Sequence, residues 1–137
     1  MGVYFNAQGK KSDTAGYYIH LQPGASFVAA GIWQPPAPVL SKLRQEIDYN
    51  FEEWSKILNS AAFKKNTEGL RSEDKLSRPP KGYEATNPAI EFLKHKTFVA
   101  SNSFSNDQFT EKDSVKNVMS FCKAAQPLVL FLNRGFD

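Results

Sequence analysis

The chain has 137 residues, the usual length of one domain and enough to bury a hydrophobic core. Hydrophobic residues make up 41% and charged residues 23%, a globular composition that argues against extended disorder. The net charge of +3 permits acidic partners without requiring them, so nucleic acid is not a favoured partner.

The chain contains one cysteine, Cys122, and therefore has no internal disulfide and no pair of thiols for a metal site. This predicts a reducing compartment, and we expect a cytoplasmic protein. The N-terminus lacks the pattern of a signal peptide, and the longest apolar run, Leu128–Leu132, is too short to span a bilayer, so no membrane association is expected.

Tyr17–Leu21 and Phe27–Trp33 are two short runs of β-forming residues separated by a Pro-Gly turn signal. They predict an antiparallel hairpin at the centre of a sheet. Because side chains alternate along a strand, Tyr18 and His20 should share one face. The tryptophan that ends the second run is expected to be buried.

Two helices are predicted next. Pro38 suits the first turn of a helix. Asn50, with Glu53 three residues later, matches a capping box at the start of a second helix. The apolar faces of the two helices are formed by Leu40, Leu43, Ile47, Phe51, Trp54 and Leu58.

The pattern is weaker between residues 61 and 83. Residues 63–71 contain a turn signal between two short apolar runs and predict a second small hairpin. Ser77–Tyr83 must be irregular, because two consecutive prolines and a glycine exclude regular structure there.

Three elements complete the chain. Asn87 predicts the start of a short helix, and Thr97–Phe104 is typical of a strand. Thr110 predicts the start of a final helix, which Pro127 should break or kink.

The two histidines have no metal-ligating partners nearby in the sequence, so neither a metal nor a cofactor is predicted. His20 has two open interpretations, as a hydrogen-bonded strand residue or as a polar group in a pocket with Tyr18. His95 is expected at an exposed helix end. Cys122 lies on an apolar helical face and is interpreted as a core side chain.

Arg78, Lys81 and Tyr83 stand on a stiff, proline-limited loop. Such a loop loses little entropy on binding and favours a preorganised anion site. Arg44 should project from the edge of the first predicted helix toward the sheet. The simpler alternative is a rigid connection whose tyrosine packs on the sheet and whose arginines pair with nearby carboxylates.

We therefore expect a shallow cleft that accepts an anion. Its candidate ligand-binding residues are Tyr18, His20, Arg44, Arg78, Lys81 and Tyr83. No residue is assigned a catalytic role.

Five runs occur in order over nearly the whole chain: Gly16–Gly24, Ala30–Pro35, Leu40–Ile47, Arg78–Tyr83 and Pro127–Asn133. Together they resemble the family called domain of unknown function 2461, found in bacteria and fungi. The resemblance implies an α+β fold and brings no assigned activity or catalytic residue. Family members usually have a further N-terminal region, so we expect this chain to be the C-terminal portion of a longer family domain.

These patterns predict one α+β domain over residues 1–137, an antiparallel sheet with a central β-hairpin packed against several α-helices. If the N-terminal region is missing, the surface that it would cover is exposed, and this exposed surface predicts a homodimer. The favoured function is a binding or interaction module for a small anion or a protein partner. The alternatives are an enzyme acting on a small anionic or nucleotide-like substrate and a weak nucleic-acid binder.

Overall fold

Four antiparallel strands form one sheet in the structure, a computed structural model that describes residues 2–6, 15–20, 26–104 and 111–136. The strands are β1 (Gly2–Asn6), β2 (Gly16–His20), β3 (Ser26–Ile32) and β4 (Phe98–Phe104), and they lie in the order β1-β2-β3-β4. The predicted hairpin is thus confirmed as the central pair, β2 with β3. Its Pro-Gly turn lies outside the described residues.

Five helices accompany the sheet within the described residues, which confirms the α+β class. They are α1 (Ala37–Tyr49), α2 (Phe51–Asn59), α3 (Ala61–Asn66), α4 (Ile90–Leu93) and α5 (Glu111–Leu132), and a 3-10 turn follows at Asn133–Phe136. The predicted start of α5 at Thr110 lies outside the described residues.

The core lies between one face of the sheet and these helices. Val28, Ala30 and Ile32 alternate along β3 and are buried, so this face of the strand points toward the helices. Leu43 and Ile47 of α1 are fully buried in the same cluster. The opposite face of the sheet carries the other half of each strand's side chains.

The core is rich in aromatic side chains. Trp54 of α2 is fully buried, with its ring 5.1 Å from Phe131 and at nearly a right angle to Phe98. Its indole Nε1 has no hydrogen-bond partner among the described residues. Edge-to-face aromatic pairs of this kind add to the stability gained from burial.

The predicted hairpin over residues 63–71 is wrong. Residues 61–66 form α3 instead, because the Ser60 hydroxyl caps the helix and Phe63 anchors it in the core. The segment after α3 does not pair with residues 63–66. It pairs with β4 through a single bridge between Leu70 and Ala100.

Two further expectations are corrected. Pro127 does not break the last helix, since α5 continues to Leu132; a kink at this residue stays a prediction. Pro127 and Lys123, whose carbonyl loses its helical partner, both face solvent, where water can satisfy that carbonyl. His95 is not exposed: its side chain is 4% accessible and stacks between Phe92 and Phe98.

Candidate functional site

The outer face of the sheet, turned away from the helices, carries a cluster of aromatic rings. Tyr18 and His20 alternate with core-facing residues of β2, and Phe27 lies opposite His20 on β3. The ring centroids of His20 and Phe27 are 5.0 Å apart, and those of Tyr18 and Phe27 are 5.8 Å apart. The three rings therefore form one aromatic wall on the surface.

Next to this wall the outer face is hollow, because the neighbouring positions have little or no side chain. Ala29 lies opposite Tyr18, and Gly31 lies opposite Gly16 on β2 and Val99 on β4. These small residues, next to the large rings of Tyr18, His20 and Phe27, leave a depression on this face.

Gly31 lies in the floor of this depression, and only glycine fits at its position. Its φ of +136° lies in a region that side chains rarely adopt. A Cβ at this position would overlap the Phe98 carbonyl oxygen and come within 2.9 Å of Val99 Cα. Glycine thus allows β3 and β4 to approach closely beneath the hollow.

We call this hollow the outer groove; its volume is about 650 Å³. Its lining is mostly apolar and comes from the sheet, the loop after β3 and one arginine. The lining residues are Gly16, Tyr18, Phe27, Ala29, Ala30, Gly31, Ile32, Trp33, Gln34, Pro35, Pro36, Arg71 and Val99.

Trp33 also lines the outer groove. The expectation that it is buried is wrong: it follows the end of β3 and is 64% exposed. Gln34, the next residue, has a φ of +42°, which is uncommon for a residue other than glycine. Backbone strain of this kind persists only where the surroundings hold it in place.

A polar network supplies that support. The main-chain N–H of Gln34 donates to Thr97 Oγ1 at 3.1 Å, and the Thr97 hydroxyl donates to Asp74 Oδ2 at 2.9 Å. Lys96 pairs with the other oxygen of Asp74 at 3.3 Å. The hydrogen bond from Thr97 is the largest of the effects that lower the pKa of Asp74. The network fixes the loop that presents Trp33.

Arg71 reaches the outer groove because its segment runs along β4. Its amide donates to the Val99 carbonyl, and the Glu68 amide donates to the Ser101 carbonyl, each at 2.7 Å. The Arg71 guanidinium contacts the Glu73 carboxylate, and their side chains are 45% and 65% exposed. The hydrogen bonds from Arg71 lower the pKa of Glu73.

A second, polar hollow lies beside the outer groove and shares Arg71 with it. Its lining residues are Glu68, Gly69, Leu70, Arg71, Ser72, Glu73, Ser101 and Ser103. Arg71 thus stands between an apolar depression and a polar one.

Arg44 and Tyr83, two of the predicted ligand-binding residues, lie on the helical side of the sheet. Arg44 Nε donates to the Leu93 carbonyl at 2.8 Å, at the end of α4. Burial lowers the pKa of Arg44 and raises that of Tyr83, and the two groups are within electrostatic reach of each other. Tyr83 packs against the core.

Arg78 and Lys81 are both exposed on the loop that follows Ser77, which is irregular as predicted. The loop is held by buried Pro80, whose carbonyl accepts from the Tyr83 amide at 3.1 Å. A role for these two cations in binding an anion stays a prediction.

Four of the six predicted residues therefore lie on opposite sides of the sheet. Tyr18 and His20 lie on the outer face of the sheet, whereas Arg44 and Tyr83 lie behind it with the helices. The outer groove combines Tyr18 with Trp33 and Arg71 instead. The small residues at 29 and 31, alternating with buried ones, were a signal for the hollow; no local pattern indicates Arg71, whose place depends on pairing with β4.

Within the described ranges, no group of three or more His, Cys, Asp or Glu side chains could hold a metal ion. The described helices likewise include none with the length and apolar character needed to cross a membrane.

Comparison with known proteins identifies a family. The profile described as "Conserved hypothetical protein (DUF2461)" matches residues 1–131, and the chain belongs to this family of uncharacterised conserved domains. No curated protein and no solved structure gives a match.

Proposed function

We propose that this DUF2461 domain is a binding module whose ligand site is the outer groove. The ligand class that fits is a small molecule with a planar apolar ring and a carboxylate. The observation that carries the proposal is the concave, aromatic-walled hollow with Arg71 at its rim.

The size and lining of the outer groove support a small ligand. Its volume of about 650 Å³ falls within the range of small-molecule sites, which are mostly apolar with a few placed polar groups. The rings of Tyr18 and Trp33 both line the outer groove, together with the small residues Ala29 and Gly31. A planar ring is the shape that such walls accommodate.

Arg71 determines the charge of the ligand. It is the one charged residue in the lining of the outer groove within the described chain. A guanidinium binds a carboxylate through parallel hydrogen bonds, as this residue already does with Glu73. We therefore assign the anion-accepting role in this proposal to Arg71; a role for the loop of Arg78 stays a separate prediction.

Calorimetric titration with 2-naphthoate tests the proposal. A ligand of this size should bind with a dissociation constant of about 0.05 to 1 mM. Ala29→Phe, which fills the floor, should weaken binding at least about tenfold, because it takes the volume that the ring needs. Ala62→Phe, at an exposed position of α3, is the matched control and should leave binding unchanged.

Trp33→Ala gives a second measurement that does not depend on the floor. Trp33 is largely exposed, so its removal should leave the unfolding midpoint nearly unchanged. The same substitution should lower the affinity for 2-naphthoate. Absence of saturable heat in the millimolar range, or equal binding by Ala29→Phe and wild type, would refute the proposed site.

A further inference from the structure

The guanidinium of Arg71 is already held by a carboxylate of the same chain. Its Nε donates to the two oxygens of Glu73 at 3.2 and 3.1 Å, and Nη2 donates to Oε1 at 3.1 Å. Arg71 lines both the outer groove and the second hollow, whereas Glu73 lines the second hollow. Glu73 therefore occupies the Nε–Nη2 edge of the guanidinium, an edge through which a carboxylate can form two parallel hydrogen bonds.

We propose that Glu73 is an internal competitor for Arg71 and so sets the affinity of the outer groove for anionic ligands; this inference rests on the proposed function. While the two side chains are paired, their charges cancel and the Glu73 carboxylate repels a second anion. A ligand carboxylate binds by displacing Glu73 from Nε and Nη2.

The pair is suited to such an exchange. Both side chains are substantially exposed, and ion pairs between exposed groups are weak. The two residues are two positions apart in a segment that is neither helix nor strand, so Glu73 can swing into solvent without unfolding an element. The ligand carboxylate then binds the Arg71 guanidinium, and the Glu73 carboxylate is hydrated instead.

The test compares two probes of the same shape, 2-naphthoate and neutral 2-naphthylmethanol, on wild type and Glu73→Gln. The variant should bind 2-naphthoate about two- to fivefold more tightly, which corresponds to the strength of an exposed ion pair. Its affinity for 2-naphthylmethanol should not change, because the neutral probe does not compete for Arg71.

Glu68→Gln is the control for net charge. Glu68 lies in the same second hollow and its Oε1 accepts from the Ser103 amide at 3.1 Å, a bond that glutamine can keep. This variant removes one negative charge without touching Arg71, so its affinity for 2-naphthoate should change less than that of Glu73→Gln.

Two results would overturn the competition: unchanged affinity of Glu73→Gln for 2-naphthoate, or an equal gain in Glu68→Gln. In either case, binding that Trp33→Ala still weakens would leave the ligand site standing. If neither probe binds wild type, the proposed function fails and the competition fails with it.

Discussion

Gly31 is the single residue on which the shape of the outer groove most depends. Gly31→Ala should lower the free energy of unfolding by about 3 kcal/mol or more, since the added methyl meets main-chain atoms of β4 that cannot move alone. Equilibrium unfolding in urea measures this loss.

Gly69→Ala separates strain from collision. Gly69 also has a positive φ, +88°, but a Cβ there would meet no atom within 4 Å. Its substitution should cost only about 1–2 kcal/mol, the penalty of the left-handed conformation. Equal losses in the two variants would show that close packing of β3 on β4 does not matter.

The sequence predicted which face of a strand a residue lies on better than it predicted which residues surround it. The alternation that placed Tyr18 beside His20 follows from strand geometry and is local. The exposure of Trp33 depends on where β3 ends. The burial of His95 depends on the path of the chain that stacks it between Phe92 and Phe98, which the helical pattern before it did not indicate.

Among the helices, α3 depends on a cap that α2 lacks. Ser60 Oγ accepts from the Phe63 amide at 3.2 Å, so Ser60→Ala should lower the free energy of unfolding by about 1 kcal/mol. Asn50 makes no such bond, and Asn50→Ala should cost less than about 0.5 kcal/mol. Thermal unfolding of both variants provides the comparison; a larger loss at Asn50 would contradict it.

The capping box predicted for Asn50 and Glu53 is wrong because other partners bind both side chains, a local one for Asn50 and a distant one for Glu53. Asn50 Nδ2 donates to Glu46 at 3.0 Å, and Glu53 pairs with Arg134 at 2.6 Å. Arg134 comes from the far end of the chain and lowers the pKa of Glu53 through a hydrogen bond. The motif predicted that a helix starts here, but not how its end is satisfied.

Elements with a clear hydrophobic pattern were predicted well, whereas residues 61–71, where the pattern is weak, were not. The apolar stripe of α1 and the hairpin pattern of β2 and β3 identify core positions from the sequence alone. Over residues 61–71 a six-residue helix and a single bridge replace the predicted hairpin, because contacts with the core and with β4 decide the local structure.

The stability of the whole molecule should fall as the pH drops below about 6.5, the ordinary pKa of histidine. Burial lowers the pKa of His95, although the hydrogen bond with the Thr97 carbonyl opposes the shift. The unfolded chain therefore binds a proton that the folded chain resists, and the stability present above pH 6.5 is lost on acidification.

Urea unfolding between about pH 7.5 and 5 measures this dependence. Carboxylates with lowered pKa values, such as Asp74 and Glu91, titrate below this window. Among the charged groups near the ring are Lys75, which also lowers the pKa, and those two carboxylates, which raise it. His95→Phe should reduce the dependence of the free energy of unfolding on pH more than His20→Gln does. If His95→Phe showed the same dependence as wild type, His95 would not be its source.

Several expectations about the molecule as a whole stay predictions. These are the homodimer, the cytoplasmic location and the identity of the chain as part of a longer family domain. The fold class and the family are established, since both rest on features spread over nearly all of the sequence.

The pairing of β3 with β4 has a kinetic consequence. Ile32 lies opposite Phe98, yet residues 33–97 separate them, whereas only residues 21–25 lie between β2 and β3. Closing a long loop is entropically slower than forming a hairpin, so the β2–β3 pair should form early and β4 should join it late. Because the floor of the outer groove spans all three strands, the groove is complete only when β4 has joined the sheet.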